Sequence, residues 1–179
     1  MESTRRSFLE FLAAGVAARA VVDAAQAPAA GRVMAPGEGE LCFVGAAHDP
    51  VRLKVSLAGD PATHLAMIVQ DVSPGTVIPV HLHEREDEII LIQSGTGVAS
   101  LGRIETPVSA GSVLWVPTGT WHGGRNTGQT ILKWTGIYSP GGFEGYFREI
   151  SRPPGVTPRQ RSAEEWEALD RRYGIRYRR

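Results

Sequence analysis

The sequence predicts an all-β fold, a sandwich or closed barrel, with short helices only at its C-terminal end. Three observations lead there. Short runs of strand-forming residues recur at 41–44, 51–57, 64–72, 88–93, 97–101, 112–116 and 130–137, with the length and composition of strands. Turn-forming groups separate them: Ala-Gly-Asp-Pro at 58–61, Ser-Pro-Gly at 73–75, Ser-Gly-Thr-Gly at 94–97, Ser-Ala-Gly at 109–111 and Pro-Thr-Gly at 117–119. Gly reaches positive φ without a Cβ clash and Pro presets φ, so each group reverses the chain for an identifiable reason. No helical period interrupts before Tyr138, which argues against βαβ units.

The 179 residues suffice for one domain with a real core. The 21 glycines and 12 prolines are spread as punctuation, so no linker divides the chain. The 19 basic and 19 acidic residues cancel, which removes any global electrostatic case for nucleic acid or an anionic membrane; a small-molecule partner is expected. With one cysteine, Cys42, the chain forms no internal disulfide and has no thiolate cluster for a metal. Cys42 reads as a small apolar strand residue.

In chain order, the first 30 residues read as an address. Arg5 and Arg6 precede Phe8 and Leu9, a mildly apolar stretch runs to Val22, and Ala25-Gln26-Ala27 forms a small-x-small cleavage pattern. The paired arginines resemble a twin-arginine export signal, which implies a periplasmic or exported protein delivered already folded. Glu10 stands where that family prefers lysine, and Arg19 and Asp23 interrupt the apolar stretch. An ordinary amphipathic helix on a cytoplasmic protein is the competing reading. No later stretch is apolar enough to span a bilayer, so no membrane partner is expected for the mature form. The organisation is thus 1–30 export signal, 31–140 β-barrel, and 141–179 helical extension packed on the barrel.

Phe143, Tyr146, Phe147 and Ile150 fall at helical spacing and predict a short helix with one buried face. Ser162-Ala-Glu-Glu predicts a capping-box start to a second helix, running to about Arg172 with Trp166 and Leu169 on one face and Gly174 stopping it. The closing Arg176, Tyr177, Arg178 and Arg179 read as a frayed, solvated terminus.

Two segments carry the chemistry: Gly75-x5-His81-x-His83-x4-Glu88-x6-Gly95 and Gly111-x5-Pro117-x-Gly119-x2-His122-x3-Asn126. Residues two apart in a strand share a face, so His81 and His83 can enter one interior. Glu88 opens the next strand after a turn at 84–87, and His122 follows a tight turn that aims it inward. Three imidazoles and a carboxylate buried together need a cation between them. The motif glycines are explained by turns. Asn126 is expected to cap a turn, and Trp115, Trp121 and Trp134 to pack the core, one of them lining a pocket. His48 and His64 stand outside the motifs and are expected not to ligate.

At these positions the two segments resemble the paired motifs of the cupin superfamily, across most of 40–137. The resemblance implies a cupin double-stranded β-helix, or jelly roll. It also implies that His81, His83, Glu88 and His122 ligate one divalent transition metal, with Fe, Mn, Ni, Cu and Zn all admissible. Glu88 is preferred over Asp87 and Glu86 because it directly precedes Ile-Ile-Leu-Ile, where the family's ligand stands. The run from Ser139 through Phe143 and Tyr146 to Ile150, and the late Arg-Tyr-Gly-Ile, resemble the extension of bacterial quercetinase-like cupins. That likeness implies a dioxygenase of a small enolisable or aromatic substrate, with Glu88 as both ligand and proton acceptor. A periplasmic small-molecule or metal-binding module without catalysis is the second reading. A metal-dependent isomerase or lyase is the third, with Lys133 its nearest extra acid–base group although an outward lysine is expected there. By resemblance, a homodimer is expected, with 41–57 as a candidate interface.

Overall fold

Nested pairing of short strands organises this protein. The computed structural model describes residues 31–61, 63–157 and 159–178; the expected export signal at 1–30 lies outside them. The strands are β1 (Glu40–Val44), β2 (Asp49–Val55), β3 (Ala66–Val72), β4 (Val77–His83), β5 (Asp87–Ser94), β6 (Thr96–Leu101), β7 (Ile104–Ser109), β8 (Val113–Val116), β9 (His122–Asn126), β10 (Leu132–Ser139) and β11 (Ile175–Tyr177). One sheet runs β1-β2-β3-β10-β5-β8 and the other β11-β4-β9-β6-β7, with antiparallel pairing throughout. Pairs β6/β7, β5/β8, β4/β9 and β3/β10 are successive rungs of one long hairpin, and they alternate between the two sheets. A hairpin rolled in this way is a jelly roll, which brings residues distant in sequence to one interior.

The strands follow the expected apolar alternation. β3 buries every second residue from Ala66 to Val72, the pattern of a sheet with one face on the core. Two clusters fill the interior. Val72, Ile90, Ile92, Leu114, Leu132 and Trp134 belong to one. Cys42, Val51, Leu53 and Ile68 join Tyr138, Phe143, Tyr146, Leu169 and Ile175 in the other. The C-terminal extension therefore completes a core that the barrel strands leave open.

Three strands depart from the sequence reading. β7 contains Pro107 and buries only Val108, so as an edge strand it carries almost no apolar signal. β9 reads His-Gly-Gly-Arg-Asn, a loop by composition. Its glycines are there for space, since a Cβ on Gly123 would stand 2.9 Å from the Ile78 carbonyl oxygen and one on Gly124 2.9 Å from the Trp134 ring. β11 replaces the expected frayed terminus: Ile175 pairs with His83 and Tyr177 with His81. Among the tryptophans only Trp134 is buried. Trp115, expected in the core, is 55% exposed on β8, the terminal strand of its sheet, and Trp121 lies under the Arg178 guanidinium at 4.9 Å.

The helices are α1 (Glu144–Ile150) and α2 (Ala163–Tyr173). Ser162 and Glu165 form both halves of the expected capping box. Gly174 ends α2 at φ 62, a left-handed cap that L-residues with a Cβ enter at a cost. Around it the extension grips the metal motif. Arg85 donates to the carbonyls of Arg171 and Arg172 at 3.1 and 2.9 Å, and Glu84 N–H donates to the Gly174 carbonyl at 2.7 Å. The turn between His83 and Glu88 is thus fastened to the end of α2. A Gly174→Ala variant must hold alanine at positive φ with its Cβ 3.2 Å from Arg85. It is expected to lose about 1 kcal/mol, a few degrees of melting temperature, and an unchanged thermal transition would contradict this role.

Candidate metal centre

His81 and His83 lie on β4, His122 on the neighbouring β9 and Glu88 on β5 in the opposite sheet. His81 pairs directly with His122 across the β4–β9 ladder, just after a register shift between Ile78 and His81. Such a bulge re-aims the side chains that follow it. The two motifs are also stitched to each other. Gly119 N–H donates to the His83 carbonyl at 2.7 Å, and Gly75 N–H to the Asn126 carbonyl at 3.1 Å. Gly75, Gly95, Gly111 and Gly119 all have positive φ, in keeping with their reading as turn residues.

The three imidazoles present ligand nitrogens within 4.8 Å of one another, the arrangement of a metal-holding group. Their tautomers are prepared for it. His81 Nδ1 lies 2.7 Å from the Pro79 carbonyl and His122 Nδ1 3.0 Å from the Thr120 carbonyl. A carbonyl can only accept, so each Nδ1 carries the proton and each Nε2 keeps its lone pair. His83 is held by packing instead, its ring 4.2 Å from Phe143 and 5.5 Å from Tyr138.

Glu88 is 2% exposed, with Oε2 2.9 Å from His122 Nε2 and 3.5 Å from His83 Nε2. Those distances look like ion pairs, yet Glu88 Oε2, His83 Nε2 and His122 Nε2 all lack a hydrogen bond of acceptable geometry. The angles are the better guide here, because a hydrogen bond weakens steeply when misaligned. Three buried ligand atoms that lie close together and lack hydrogen-bond partners fit a cation. Burial alone would raise the Glu88 carboxyl, but contacts with His122 and His83 outweigh it and hold the group well below the usual carboxylate range. Burial and the His122 and His83 rings hold His81 down at about 3. One carboxylate and three imidazoles are ligands that suit a divalent cation.

The competing carboxylates are placed elsewhere. Asp87 accepts from Thr118 N–H at 2.8 Å and its hydroxyl at 2.9 Å. Glu86 is buried, desolvation raises it to about 7, and its Oε2 has no hydrogen-bond partner. His48 and His64 stand outside the cluster. Asn126 donates to the Val72 and Thr130 carbonyls and accepts from Gly128 N–H, the turn-capping role expected of it. Lys133 pairs outward with Asp71.

Two supporting residues escaped the sequence reading. The Tyr138 hydroxyl lies beside the Glu88 carboxylate, and burial, with the Glu88 charge added, keeps that phenol protonated far above its ordinary range. On the same strand, a Cβ on Gly136 would sit 2.9 Å from Glu88 Oε1 and 3.0 Å from the Tyr138 hydroxyl. Gly136 therefore vacates the space that the carboxylate occupies. No spacing rule marks it, because its requirement comes from β5 next door.

His81, Glu88 and His122 open into a cavity of about 490 Å³, whose wall includes Trp134, Phe143 and Tyr177. The Tyr146 hydroxyl links the Tyr177 hydroxyl at 3.2 Å to Asp170 at 3.1 Å, closing one side. Aromatic and aliphatic walls interspersed with polar side chains such as Asp49, Gln70 and Arg152 suit an organic molecule.

Comparison with known proteins agrees with this geometry. The Cupin_2 model, a cupin domain, matches residues 68–138. The chain is 31% identical over 83 residues to the uncharacterized protein YrkC of Bacillus subtilis, covering 43% of this chain and 45% of that one. It is 36% identical over 64 residues to the oxalate-binding protein of Thermotoga maritima, covering 36% and 53%. The chain thus spans about half the length of these curated relatives. The structure of KdgF from Halomonas sp. superposes with a TM-score of 0.54 at 20% identity, over 62% of this chain and 94% of that one; at that identity it speaks for the fold. The fold is the cupin double-stranded β-helix with short C-terminal helices.

Replacing Gly136 by alanine is expected to displace Glu88 while leaving the imidazoles in place. Metal affinity, measured by competition with a chromophoric chelator, should fall about tenfold or more. Unchanged affinity would show that Glu88 does not need this space.

Proposed function

We propose that this protein is a metal-dependent oxidoreductase, a dioxygenase of a small enolisable or aromatic substrate. In this reading His81, His83 and His122 hold one divalent transition metal, with Glu88 as the fourth ligand. The observation that carries it is the convergence of three buried imidazoles, two of them with Nδ1 held by a backbone carbonyl, with His81 and His122 opening into a cavity that Trp134, Tyr138 and Phe143 help to line. A bound iron, manganese, nickel or copper ion with open positions would supply Lewis acidity and dioxygen activation.

The chain's own residues support the proton handling. Glu88 is held ionised by its surroundings, so it can take a proton from an acidic C–H or O–H only transiently, as suits a shuttle within a reaction cycle. The Tyr138 hydroxyl on the same carboxylate is a protonated neighbour that steadies it in either state. Trp134 and Phe143 line the cavity and offer flat apolar surfaces to an aromatic body.

The likeness to an oxalate-binding protein favours a second reading, a binding module without turnover. A cavity of about 490 Å³ is far larger than oxalate needs, so such a ligand would be bulkier. The isomerase or lyase reading loses its extra acid–base group, because Lys133 pairs with Asp71 and does not line the cavity.

Protein reconstituted separately with iron, manganese, nickel and copper should consume oxygen with a member of a flavonol and β-diketone panel, and chelation should abolish it. No consumption with any metal and substrate would overturn the oxygenase reading. Saturable thermal stabilisation without turnover would then favour the binding module.

A further inference from the structure

Arg152 lines the same cavity as His81, Glu88 and His122, and its backbone is fixed on both sides. Its N–H donates to the Phe43 carbonyl at 2.7 Å, and its carbonyl lies 2.7 Å from His48 Nδ1. Ser151 adds a third tie, its hydroxyl accepting from Phe43 N–H at 3.0 Å. His48 makes its contact from φ 53, the one left-handed non-glycine residue among those described, and such a conformation persists only where the surroundings over-determine it. The segment after α1 is therefore laced to the β1–β2 hairpin, which places Arg152 at the cavity by construction.

Its guanidinium has no partner among the described residues, and this sets it apart. Arg125, Arg148, Arg159, Arg161, Arg171, Arg172 and Arg176 each meet a carboxylate. Arg52, Arg85 and Arg178 donate to carbonyls. Arg32 and Arg103 lack such contacts but are solvent-exposed, where water serves. Arg152 is half-buried. The acids that share its cavity are engaged elsewhere: Asp49 accepts from Ser73 N–H and, at 2.5 Å, from its hydroxyl, Asp170 accepts from Tyr146, and Glu88 faces the imidazoles.

An always-charged, bidentate donor beside an apolar cavity calls for an anion with two oxygens. We propose that Arg152 binds the carboxylate of the cavity's ligand, and that the ligand is a monoanion with an aromatic body. This deepens the function proposed above, and rests on it for the assignment of that ligand as substrate. It narrows the substrate from any enolisable aromatic to one that carries a carboxylate away from its reacting end.

The test uses full-length, metal-loaded protein with 2-naphthoate and its uncharged twin, 2-naphthamide, binding being read from tryptophan fluorescence and checked by calorimetry. Wild type should bind the carboxylate about tenfold more tightly than the amide. Arg152→Gln should bring naphthoate down to the amide's affinity without moving the amide, and Arg152→Lys, which keeps the charge, should restore part of the preference. Failure of wild type to bind naphthoate or to prefer it overturns the proposal. So does a preference that survives in Arg152→Gln, since the carboxylate would then sit elsewhere, for instance on the metal. Metal content measured on the same samples separates the two failures: a fully metal-loaded wild type that shows no preference for naphthoate overturns only the role of Arg152, whereas a wild type that cannot be loaded with metal overturns the metal-dependent function.

Discussion

Three imidazoles and a carboxylate brought into one interior from two opposed sheets are the constraint around which the rest of the structure is arranged. Four polar side chains buried together would destabilise a small barrel unless something offsets their desolvation. The protein responds by fixing each one. Backbone carbonyls set the tautomers of His81 and His122, Phe143 and Tyr138 wall in His83, and Gly136 clears room for Glu88. Only the nested hairpin makes this possible, because alternate rungs fall in opposite sheets. His81 and His83 then belong to one wall of the barrel while Glu88, five residues beyond His83, belongs to the other.

The C-terminal extension belongs to the same arrangement. Phe143 and Tyr146 share a cluster with Val51, Leu53 and Ile68, β11 covers the free edge of β4 opposite His81 and His83, and Arg85 ties the intermotif turn to the end of α2. A jelly roll alone would leave that edge and that turn open to water. Segments remote in the chain therefore set the rigidity and dryness of the centre, the supporting shell on which a precise site depends.

How much of this was legible in the sequence depends on where the signal resides. β3 and β5 announce themselves by apolar runs, and α2 by Ser162 and Glu165, because those requirements are local. The spacing of His81, His83, Glu88 and His122 was legible for the same reason, each motif being one turn and its flanking strands. β9 was not, since its Gly-Gly is dictated by close approach to Ile78 and Trp134 rather than by its own neighbours. Trp115 misled, its bulk suggesting a core position while its strand lies at the edge of a sheet. Tyr177, Gly136 and Arg152 matter through residues 96, 48 and more than 100 positions away, on β4, β5 and the β1–β2 hairpin, and composition carries no trace of that.

The central claim is that these residues hold a metal, and elemental analysis tests it most directly. Protein purified without added metal should carry about one equivalent of a divalent transition metal per chain, and a His81→Ala, His83→Ala double variant, shown by circular dichroism to be folded, should carry almost none. Stoichiometric metal retained in that folded variant would contradict the account.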